Sequence, residues 1–355
     1  MKIVLISWGY LEYVLQLANA LSNEEEVTLF LPDNFREFAE KNKLKNLNLE
    51  FFEKVRIRNP KNFFIHKKIV DKIKSINPDV IHIQDGDIWF SLMLPFLKKF
   101  PLIITLHDPK QHIGEEKLRE TIRDKINQTF ASGYIVHGEY LKELLSSHLK
   151  VSKDKIFIAK HGNFNILAKP RKKTLKQKRI LFFGRIWPYK GLDILIKCEP
   201  ILKKSLKDYK IVIAGKGEDF EKYQSLIQNP DNFEIHNRFI DNNELDYFFN
   251  ESDIVVLPYV EATQSGVICL AYSFGKPVIA TKVGSLPELI DDEKTGILVE
   301  PNNEVKLAES IVSLFNNRRK LNKMGNYALN KANIELDWNI IAKKTIDIYK
   351  NVHQN

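Results

Sequence analysis

The sequence predicts an α/β protein with two doubly wound domains in tandem, each built on a parallel sheet that helices cover on both faces. Short, nearly wholly apolar runs alternate with longer segments of helical periodicity, which is the pattern of parallel strands joined by crossover helices. This alternation stops near residue 163 and starts again near residue 179. At 355 residues, the chain is also too long for one domain of ordinary size.

The first half contains six candidate strands. Several of them are almost entirely apolar and β-branched, as is typical of strands buried on both faces. The candidate strands are 2–7, 27–31, 80–83, 102–106, 133–136 and 156–160. Between them, crossover helices are predicted at 11–21, 117–130 and 139–148. These elements define a first domain over 1–165.

The second half repeats the arrangement after a polar, basic segment at 166–178, which is predicted to be a linker. The second domain, over 179–337, has candidate strands at 180–183, 210–214, 254–257 and 277–281, with 297–299 at the sheet edge. The last segment, 338–352, has apolar residues at helical spacing. We expect this helix, within 338–355, to cross back to the first domain.

The chain carries a net charge of +9, and its positive charge is clustered. Residues 54–74 hold eight Lys/Arg and one acid, and residues 169–179 hold seven Lys/Arg and no acid. Such clusters suit an anionic ligand, an anionic membrane surface or nucleic acid. No nucleic-acid recognition module accompanies them, so we expect no nucleic-acid partner.

The sequence indicates a cytoplasmic location. Its two cysteines form neither a disulfide framework nor a metal pattern, which fits a reducing compartment. No apolar run approaches the roughly 20 residues that span a bilayer. The apolar run at the start of the chain is too short for a signal peptide and predicts a buried first strand.

A strand-to-helix turn carries two cations in the second domain. The apolar run at 179–183 ends at Gly184, and Arg185 and Lys190 follow before Gly191 marks the bend into the next helix. Ligands of open α/β sheets bind at such turns, where backbone N–H groups favour anions. A planar guanidinium and a mobile ammonium suit a diphosphate. A solvated charge pair on a surface loop would give the same pattern.

Two further turns of the second domain are candidate binding loops. Gly215 follows the strand at 210–214, where a ligand could approach the backbone closely, although a plain tight turn has the same residues. The loop after the strand at 254–257 is rich in small and hydroxyl residues, which could donate to phosphate or sugar oxygens or cap the next helix. The candidate donor contacts in this loop are Glu261, Thr263, Gln264, Ser265, Gly266 and Val267.

In the first domain, His107, His137 and His161 each fall at the end of a strand. His107 could donate a hydrogen bond to a substrate hydroxyl or carbonyl, or make a merely local hydrogen bond. No carboxylate or cysteine lies at ligand spacing from these histidines, so we expect no metal site.

Taken together, these motifs resemble the retaining GT-B glycosyltransferases of glycosyltransferase family 4, over nearly the whole chain and most strongly over 180–299. The family's Gly-Arg-x-x-x-x-Lys-Gly signature is similar to residues 184–191, and its Gly-x-Pro-Val-(Val/Ile)-Ala-(Thr/Ser) block is similar to 275–281. Its Gly-Gly-x-Pro-Glu turn resembles 284–288, with serine in place of the second glycine. Its closing Trp-x-x-Ile-Ala helix resembles 338–342.

The resemblance implies a GT-B fold, in which two Rossmann-like domains face each other across a cleft. It also implies a UDP- or GDP-linked sugar as donor, held mostly by the second domain without a metal or other cofactor, and a glycan or lipid-linked glycan as acceptor. Arg185 and Lys190 would stabilise charge on the leaving diphosphate, and His107 would contact the donor sugar. The nucleotide would be selected near Arg238, Phe239 and Ile240. The acceptor would enter near Trp8, Gly9 and Tyr10.

The chain departs from the family pattern at a pair of glutamates that usually stand eight residues apart. Counting from Glu261, the second position is Cys269; counting back from Gly275, the two positions are Ala262 and Leu270. Neither alignment supplies both carboxylates. Either ribose recognition differs, or the chain is a non-catalytic GT-B homologue that binds a nucleotide sugar or serves as a partner subunit. We favour an active enzyme because both cations and the histidine are present.

A further hypothesis concerns membranes. The segment 65–76 has isoleucines on one helical face and lysines around them. Such a helix could lie on an anionic leaflet, but we favour packing of the isoleucines on the sheet. The positive exterior would then make only peripheral contact with anionic lipid at the inner face of the cell membrane.

Overall fold

The computed structural model describes residues 1–84, 86–108, 118–217 and 220–354, apart from the side chain of Leu118. These residues form two compact units. Unit 1 comprises Met1–Gly162 and Trp338–Asn355, and unit 2 comprises Asn163–Asp337. Among the described residues, no helix is long and apolar enough to cross a membrane.

Unit 1 contains a parallel sheet whose described strands run in the order β3-β2-β1-β4-β5-β6-β7. The strands are β1 Lys2–Ser7, β2 Glu26–Pro32, β3 Asn48–Phe52, β4 Val80–Gln84, β5 Leu102–Thr105, β6 Gly133–Val136 and β7 Ile156–Ile158. The order reverses between β1 and β4, so the loops after these two strands diverge. Such a reversal opens a crevice at the carboxyl ends of the strands.

Helices connect the strands of unit 1, and three of them correspond to the crossover helices that the sequence predicts at 11–21, 117–130 and 139–148. The connecting helices are α1 Leu11–Leu21, α2 Arg36–Asn42, α3 Lys61–Ile76, α4 Ile88–Met93, α5 Leu118–Phe130 and α6 Glu139–Leu149. The predicted start of the α5 helix, Lys117, lies outside the described residues. On α3, Ile69 and Ile73 are buried, and Ile65 and Ile76 pack against the same core. The isoleucine face of α3 therefore packs on the sheet, which was the favoured interpretation.

Unit 2 contains a second parallel sheet, with its described strands in the order β10-β9-β8-β11-β12-β13. The strands are β8 Lys178–Phe183, β9 Tyr209–Ala214, β10 Phe233–His236, β11 Ile254–Leu257, β12 Val278–Thr281 and β13 Gly296–Val299. The order reverses between β8 and β11, and β13 lies at the edge as predicted. The helices of unit 2 are α7 Leu192–Ser205, α8 Phe220–Gln224, α9 Leu245–Glu251, α10 Gly266–Ser273, α11 Leu286–Leu289, α12 Glu304–Asn316 and α13 Arg318–Ile334.

Strand β8 shows why its sequence is a continuous apolar run. Ile180 and Phe182 enter the core on one face of the sheet, and Leu181 enters the core on the other face. Because successive side chains of a strand alternate between faces, a strand covered on both faces needs apolar residues at every position. The run thus fixes β8 at the centre of unit 2, and with it the loop that begins at Gly184.

The C-terminal helix, α14 Trp338–Gln354, belongs to unit 1, as predicted. The Tyr349 hydroxyl lies 2.6 Å from Nδ1 of His82 on the central strand β4. Near the start of α14, the Trp338 ring packs edge-on against Tyr13 of α1, with ring centroids 5.0 Å apart. An aromatic pair and a buried hydrogen bond therefore attach the helix to unit 1.

The segment predicted to be a linker is bound to unit 2 along its length. Arg171 donates to Glu251 at 2.8 Å, and the backbone N–H groups of Thr174 and Leu175 donate to the same carboxylate. Lys173 pairs with Asp253. Glu251 ends α9 and Asp253 directly precedes β11. Both carboxylates are almost fully buried, so they need these partners to offset the loss of water.

Candidate functional site

Two glycines bring the loops after β8 and β9 together in unit 2. Gly184 and Gly215 have φ values of +110° and +152°, which side chains rarely adopt. A Cβ atom at Gly215 would lie 1.8 Å from the carbonyl oxygen of Gly184. Only glycine allows this approach. Gly184 and Gly215, two of the residues predicted to line the donor site, therefore lie side by side at the carboxyl edge of the sheet.

The two predicted catalytic cations contact the same tyrosine. The Arg185 guanidinium donates to the Tyr189 hydroxyl across 3.4 Å. The Lys190 ammonium lies 5.2 Å from the centroid of the Tyr189 ring and 3.9 Å from that of Tyr259. Tyr259 is fully buried. Because a cation is attracted to the face of an aromatic ring, Tyr259 fixes the position of Lys190 from below the loop.

Gly191 joins the loop after β8 to the loop after β11. Its φ is +66°, and a Cβ atom there would lie 2.0 Å from the carbonyl oxygen of Pro258. Two residues away on each side of this contact, the Val260 N–H donates to the Tyr189 carbonyl at 2.8 Å. These loops follow the two strands between which the order reverses. The cations therefore lie at the position in the sheet where open α/β domains bind ligands.

A short turn holds the loop 258–267 in place. The backbone N–H and hydroxyl of Ser285 both donate to the Thr263 carbonyl. A Cβ atom at Gly284 would lie 1.7 Å from the carbonyl oxygen of Ala262, so the two chains touch. Ser285 stands where the family turn has a glycine, and its hydroxyl gives it a structural role here. Within the loop, the side-chain oxygen of Gln264 is buried and lacks a hydrogen-bond partner among the described residues.

The loop ends at the start of α10. Ser265 is the N-cap residue, but its side chain accepts no hydrogen bond from the helix N–H groups; it lies 3.3 Å from the Tyr259 hydroxyl instead. The capping explanation for this serine is therefore not what the geometry shows. A Cβ atom at Gly184 would lie 3.7 Å from the Val267 side chain, so the first turn of α10, which begins at Gly266, adjoins the cation loop. This helix start can receive an anion.

The position of the expected second glutamate lies in the core. Glu261 is half-buried in the bend after β11, whereas Cys269 and Leu270 are buried within unit 2. Burial raises the pKa of the Cys269 thiol to about 12, so it is neutral at pH 7. A single turn of α10 separates the loop from these residues, and neither can offer a carboxylate to a ribose.

The three predicted nucleotide contacts in the loop after β10 differ in their exposure to solvent. Arg238 forms a two-pronged ion pair with Glu244 and lowers the pKa of that carboxyl to about 2. Phe239 is 73% exposed. Ile240 is buried in the core of unit 2, so its side chain is not presented to a ligand. Of the three predicted contacts, Arg238 and Phe239 are therefore accessible.

The predicted acceptor residues of unit 1 face different ways. Trp8 packs into the core, 5.2 Å from the Phe90 ring between centroids, and its indole N–H is buried without a hydrogen-bond partner in the described chain. Gly9 has no atom within 4 Å of a Cβ position. Tyr10 has a φ of +51° and is 45% exposed. Gly9 and Tyr10 are accessible, and Trp8 supports the loop from within.

His107 lies beneath Tyr10 and is only 1% exposed. The two rings are stacked, 4.0 Å apart and inclined by 15°. Its Nε2 lies 3.1 Å from the Gln84 amide oxygen and its Nδ1 lies 3.1 Å from Nε2 of His137. Both ring nitrogens of the predicted sugar contact are thus within hydrogen-bond distance of side chains in unit 1.

Four buried histidines form one cluster in unit 1. His107 adjoins His137 directly and His82 through Gln84, and His161 packs 5.3 Å from His137 between ring centroids. Burial lowers the pKa of His82 and His137 to about 3 and that of His161 to about 4. Burial, and then repulsion from His137, lowers the pKa of His107 well below its ordinary value. All four rings are neutral at pH 7.

Several functional residues could not be identified from the sequence. Tyr259 carries only a weak signal, because it lies two residues after a buried strand. His82 and Gln84 sit at alternate positions of β4, where polar residues interrupt an apolar run. Such an interruption in a buried strand is the signal that could have found them.

Solved structures place the whole chain in one fold. A glycosyltransferase from Rickettsia africae matches with a TM-score of 0.75 at 19% sequence identity, covering 100% of this chain and 99% of that chain. The Anabaena protein HepE in complex with UDP-glucose matches with a TM-score of 0.73 at 18% identity, covering 100% of both chains. Two parallel-sheet domains of Rossmann type with these neighbours define the GT-B fold.

Each half of the chain also matches a glycosyltransferase family model. The model described as Glycosyltransferase Family 4 matches residues 9–162, and that described as Glycosyl transferases group 1 matches residues 164–331. An uncharacterized glycosyltransferase of Haemophilus influenzae is 26% identical over 276 residues, which is 77% of this chain and 77% of that protein. The chain therefore belongs to the GT-B glycosyltransferases of the family 4 type, and it is a transferase enzyme.

Proposed function

We propose that this glycosyltransferase moves a hexose-type sugar, with retention of anomeric configuration, from a UDP- or GDP-linked donor to a glycan or lipid-linked glycan. One observation carries the proposal: Arg185 and Lys190 project from the loop after β8, adjacent to the start of α10. Two cations and a helix start suit the charge of a nucleotide diphosphate. HepE, a structural neighbour, is described in complex with UDP-glucose.

In the proposed reaction, the bond between the sugar C1 and the diphosphate oxygen breaks, and the acceptor hydroxyl oxygen bonds to C1 from the same face. The acceptor proton passes to the departing phosphate. Arg185 and Lys190 stabilise the negative charge that grows on the diphosphate, which lowers the barrier more than it strengthens substrate binding. The scheme needs no metal, no other cofactor and no nucleophile from the protein.

The donor ribose and base require other contacts because the glutamate pair is incomplete. The Gln264 side-chain oxygen is a buried acceptor that a ribose hydroxyl could use. The exposed Phe239 ring offers a stacking surface for the base. On unit 1, Gly9 and Tyr10 are the proposed acceptor contacts. His107 is stacked behind Tyr10, so its proposed contact with the sugar requires the Tyr10 ring to move aside.

A second candidate is a non-catalytic GT-B homologue that binds a nucleotide sugar or acts as a partner subunit. The buried Cys269 at the second glutamate position favours it, because a neutral thiol in the core cannot replace a ribose-binding carboxylate. This candidate predicts donor binding without turnover. The enzyme predicts both.

The experiment is a panel of UDP- and GDP-linked hexoses, screened by thermal shift and then by donor hydrolysis. One donor is expected to raise the melting temperature and to be hydrolysed. Arg185→Ala should lower turnover about 100-fold, as loss of a transition-state contact does. The matched control is Arg319→Ala, an exposed arginine on α13, which should behave as wild type.

The outcomes of this panel separate the candidates. Turnover that is lost in Arg185→Ala and kept in Arg319→Ala supports the enzyme. A thermal shift without turnover supports the non-catalytic homologue. No shift with any donor would reject both.

We also propose a cytoplasmic location with peripheral contact to anionic membrane through the exposed side of α3. Phe63 and Phe64 are 46% and 65% exposed and lie among the lysines of the 54–74 cluster. Exposed aromatic rings beside cations suit an anionic lipid surface. Cosedimentation with phosphatidylserine vesicles at low salt should be lost in Phe63→Ser/Phe64→Ser. Equal pelleting of the variant and wild type would reject this contact.

A further inference from the structure

A cavity of about 440 Å³ lies at the amino edge of the sheet of unit 2. Its walls come from the segment before β8, the starts of β11 and β12, and the first turns of α13. The charged residues that line it are Arg171, Lys172, Lys173, Asp253, Lys276 and Arg318. We call this cavity the amino-edge pocket. The cation loop with Arg185 and Lys190 lies at the opposite, carboxyl edge of the same sheet.

The carboxylates near the amino-edge pocket do not neutralise its cations. Asp253 accepts from both Lys173 and Arg318, the latter at 2.6 Å, and Arg171 pairs with Glu251 at 2.8 Å. Two carboxylates therefore form ion pairs with three of the five cations. The excess of positive charge in and around the pocket is three.

Lys172 and Lys276 are the two cations with no carboxylate partner among the ion pairs of the described residues. The Lys276 ammonium donates to the backbone carbonyl of Asn250 at 3.0 Å. Burial lowers the pKa of Lys276 to about 8. Attraction by Asp253 opposes this shift, and repulsion from Lys173 and Arg318 adds to it. A bound anion would offset the burial and the repulsion and favour the charged ammonium.

Helix α13, which carries Arg318, forms one wall of the pocket. A Cβ atom at Gly325 of α13 would lie 2.5 Å from the carbonyl oxygen of Gly275, so the helix touches the turn before β12. Asn322 and Asn326 stand four residues apart on α13, on one face of the helix, and line the same pocket. Their amide groups add neutral hydrogen-bond donors beside the cations.

We propose that the amino-edge pocket binds a phosphate-bearing anion. Arginine guanidinium groups and lysine ammonium groups around one small volume suit a compact oxyanion with more than one negative charge, such as a pyrophosphate or a phosphomonoester. The anion could be a soluble phosphate compound or the headgroup of an anionic lipid. The basic residues of 169–179 thus have a ligand of their own, separate from the donor loops.

The test uses inorganic pyrophosphate as probe, titrated calorimetrically at low salt into the full chain carrying Arg185→Ala. This background weakens the proposed donor site, and the dependence of the remaining binding on Lys172 and Arg318 assigns it to the amino-edge pocket. Adding Lys172→Gln/Arg318→Gln should weaken binding at least about tenfold, because two charge-assisted contacts are lost. The matched control is Lys176→Gln/Arg319→Gln, which removes two exposed cations of the same segments that do not line the pocket.

A second arm distinguishes the source of the phosphate. Vesicles of phosphatidylcholine with phosphatidic acid are cosedimented with the same variants. Pyrophosphate binding that depends on Lys172 and Arg318 supports a soluble ligand. Vesicle binding with the same dependence, in the absence of pyrophosphate binding, supports a lipid headgroup. If the pocket pair and the control pair behave alike in both arms, or if neither probe binds, the proposal is overturned.

Equal melting temperatures of the two double variants will show that both remain folded. Arg318 is exposed, and its removal leaves Asp253 paired with Lys173. Lys172 has no carboxylate partner to leave behind. Loss of binding by this pair is therefore a loss of ligand contacts and not of structure. The result is also independent of any nucleotide sugar, so it stands or fails separately from the proposed transferase reaction.

Discussion

The ammonium of Lys190 rests on the face of the Tyr259 ring, 3.9 Å from its centroid. Lys190 precedes α7 and Tyr259 follows β11, so the contact joins the two strand ends at which the sheet order of unit 2 reverses. The Tyr259 ring thus holds the Lys190 ammonium in place, and no carboxylate takes part in that contact. A carboxylate there would compete with a diphosphate for Lys190, whereas an aromatic ring leaves the positive charge in place.

The contact between Lys190 and Tyr259 predicts the effect of removing the Tyr259 ring. Tyr259→Leu keeps the core apolar but loses the cation–π contact, so binding of the donor's nucleoside diphosphate should weaken roughly 3- to 30-fold. Tyr259→Phe retains the ring and loses only the contact with Ser265, and it should bind within about twofold of wild type. Titration calorimetry measures both. Equal affinities of the Leu and Phe variants would show that the ring does not position Lys190.

The close approach of Gly191 to Pro258 predicts a cost for any side chain. Gly191→Ala places a Cβ atom 2.0 Å from a carbonyl oxygen at a φ of +66°, so the free energy of unfolding should fall by at least about 2 kcal/mol. Gly9→Ala has open space and should change it by less than about 0.5 kcal/mol. Urea unfolding followed by circular dichroism measures both. A Gly191→Ala variant as stable as wild type would contradict the contact.

The histidine cluster predicts acid sensitivity of unit 1. His82, His137 and His161 have folded pKa values of about 3 to 4, below the ordinary 6.5, so the unfolded chain takes up protons first as pH falls. The free energy of unfolding should therefore be highest above about pH 6.5 and should decrease as the pH falls toward 4. Each histidine that stays neutral at pH 5 contributes a loss of roughly 2 kcal/mol.

Tryptophan fluorescence during urea unfolding reports this loss, because Trp8, Trp89 and Trp338 lie in unit 1. His161→Gln should reduce the fall in stability between pH 7 and pH 5. His148→Gln, at an exposed position of α6, should leave it as in wild type. A flat profile for wild type would show that the cluster is not neutral in the folded state.

The exposed ring of Phe239 predicts a change in donor affinity alone. If the base stacks there, Phe239→Ala should raise KM for the donor about tenfold with little change in kcat, because stacking energy is present in both ground and transition states. Phe239→Tyr keeps an aromatic face and should restore the wild-type KM. Steady-state kinetics with the donor identified by the panel measure both. An unchanged KM in Phe239→Ala would place the base elsewhere.

The central strands could be predicted from the sequence, and two edge strands could not. Strands β1, β6 and β11 have their predicted bounds. Strand β3 lies at one edge of the unit 1 sheet and β10 at one edge of the unit 2 sheet, and neither was predicted. Edge strands are covered less completely, so their sequences mix polar and apolar residues and lack a continuous apolar run.

The site could be predicted only as far as strand ends reveal it. Loop residues such as Arg185 and Gly184 follow apolar runs, and parallel topology then places them at one sheet edge. The position of Lys190 depends on Tyr259, which is far away in the chain, and no local pattern joins them. The sequence also does not show the direction of a side chain. Trp8 and Ile240 lie in loops after strands, as Arg185 does, and yet their side chains pack inward.

The discontinuity of unit 1 has a consequence for the order in which the protein can mature during synthesis. Unit 2 is encoded as one uninterrupted stretch, whereas α14 leaves the ribosome after all of unit 2. Until then, His82 lacks its Tyr349 partner and Tyr13 lacks the Trp338 ring. In the nascent chain, unit 2 can therefore fold before unit 1 is complete. Until α14 covers it, the apolar surface of α1 stays exposed, and we expect chaperones to bind there.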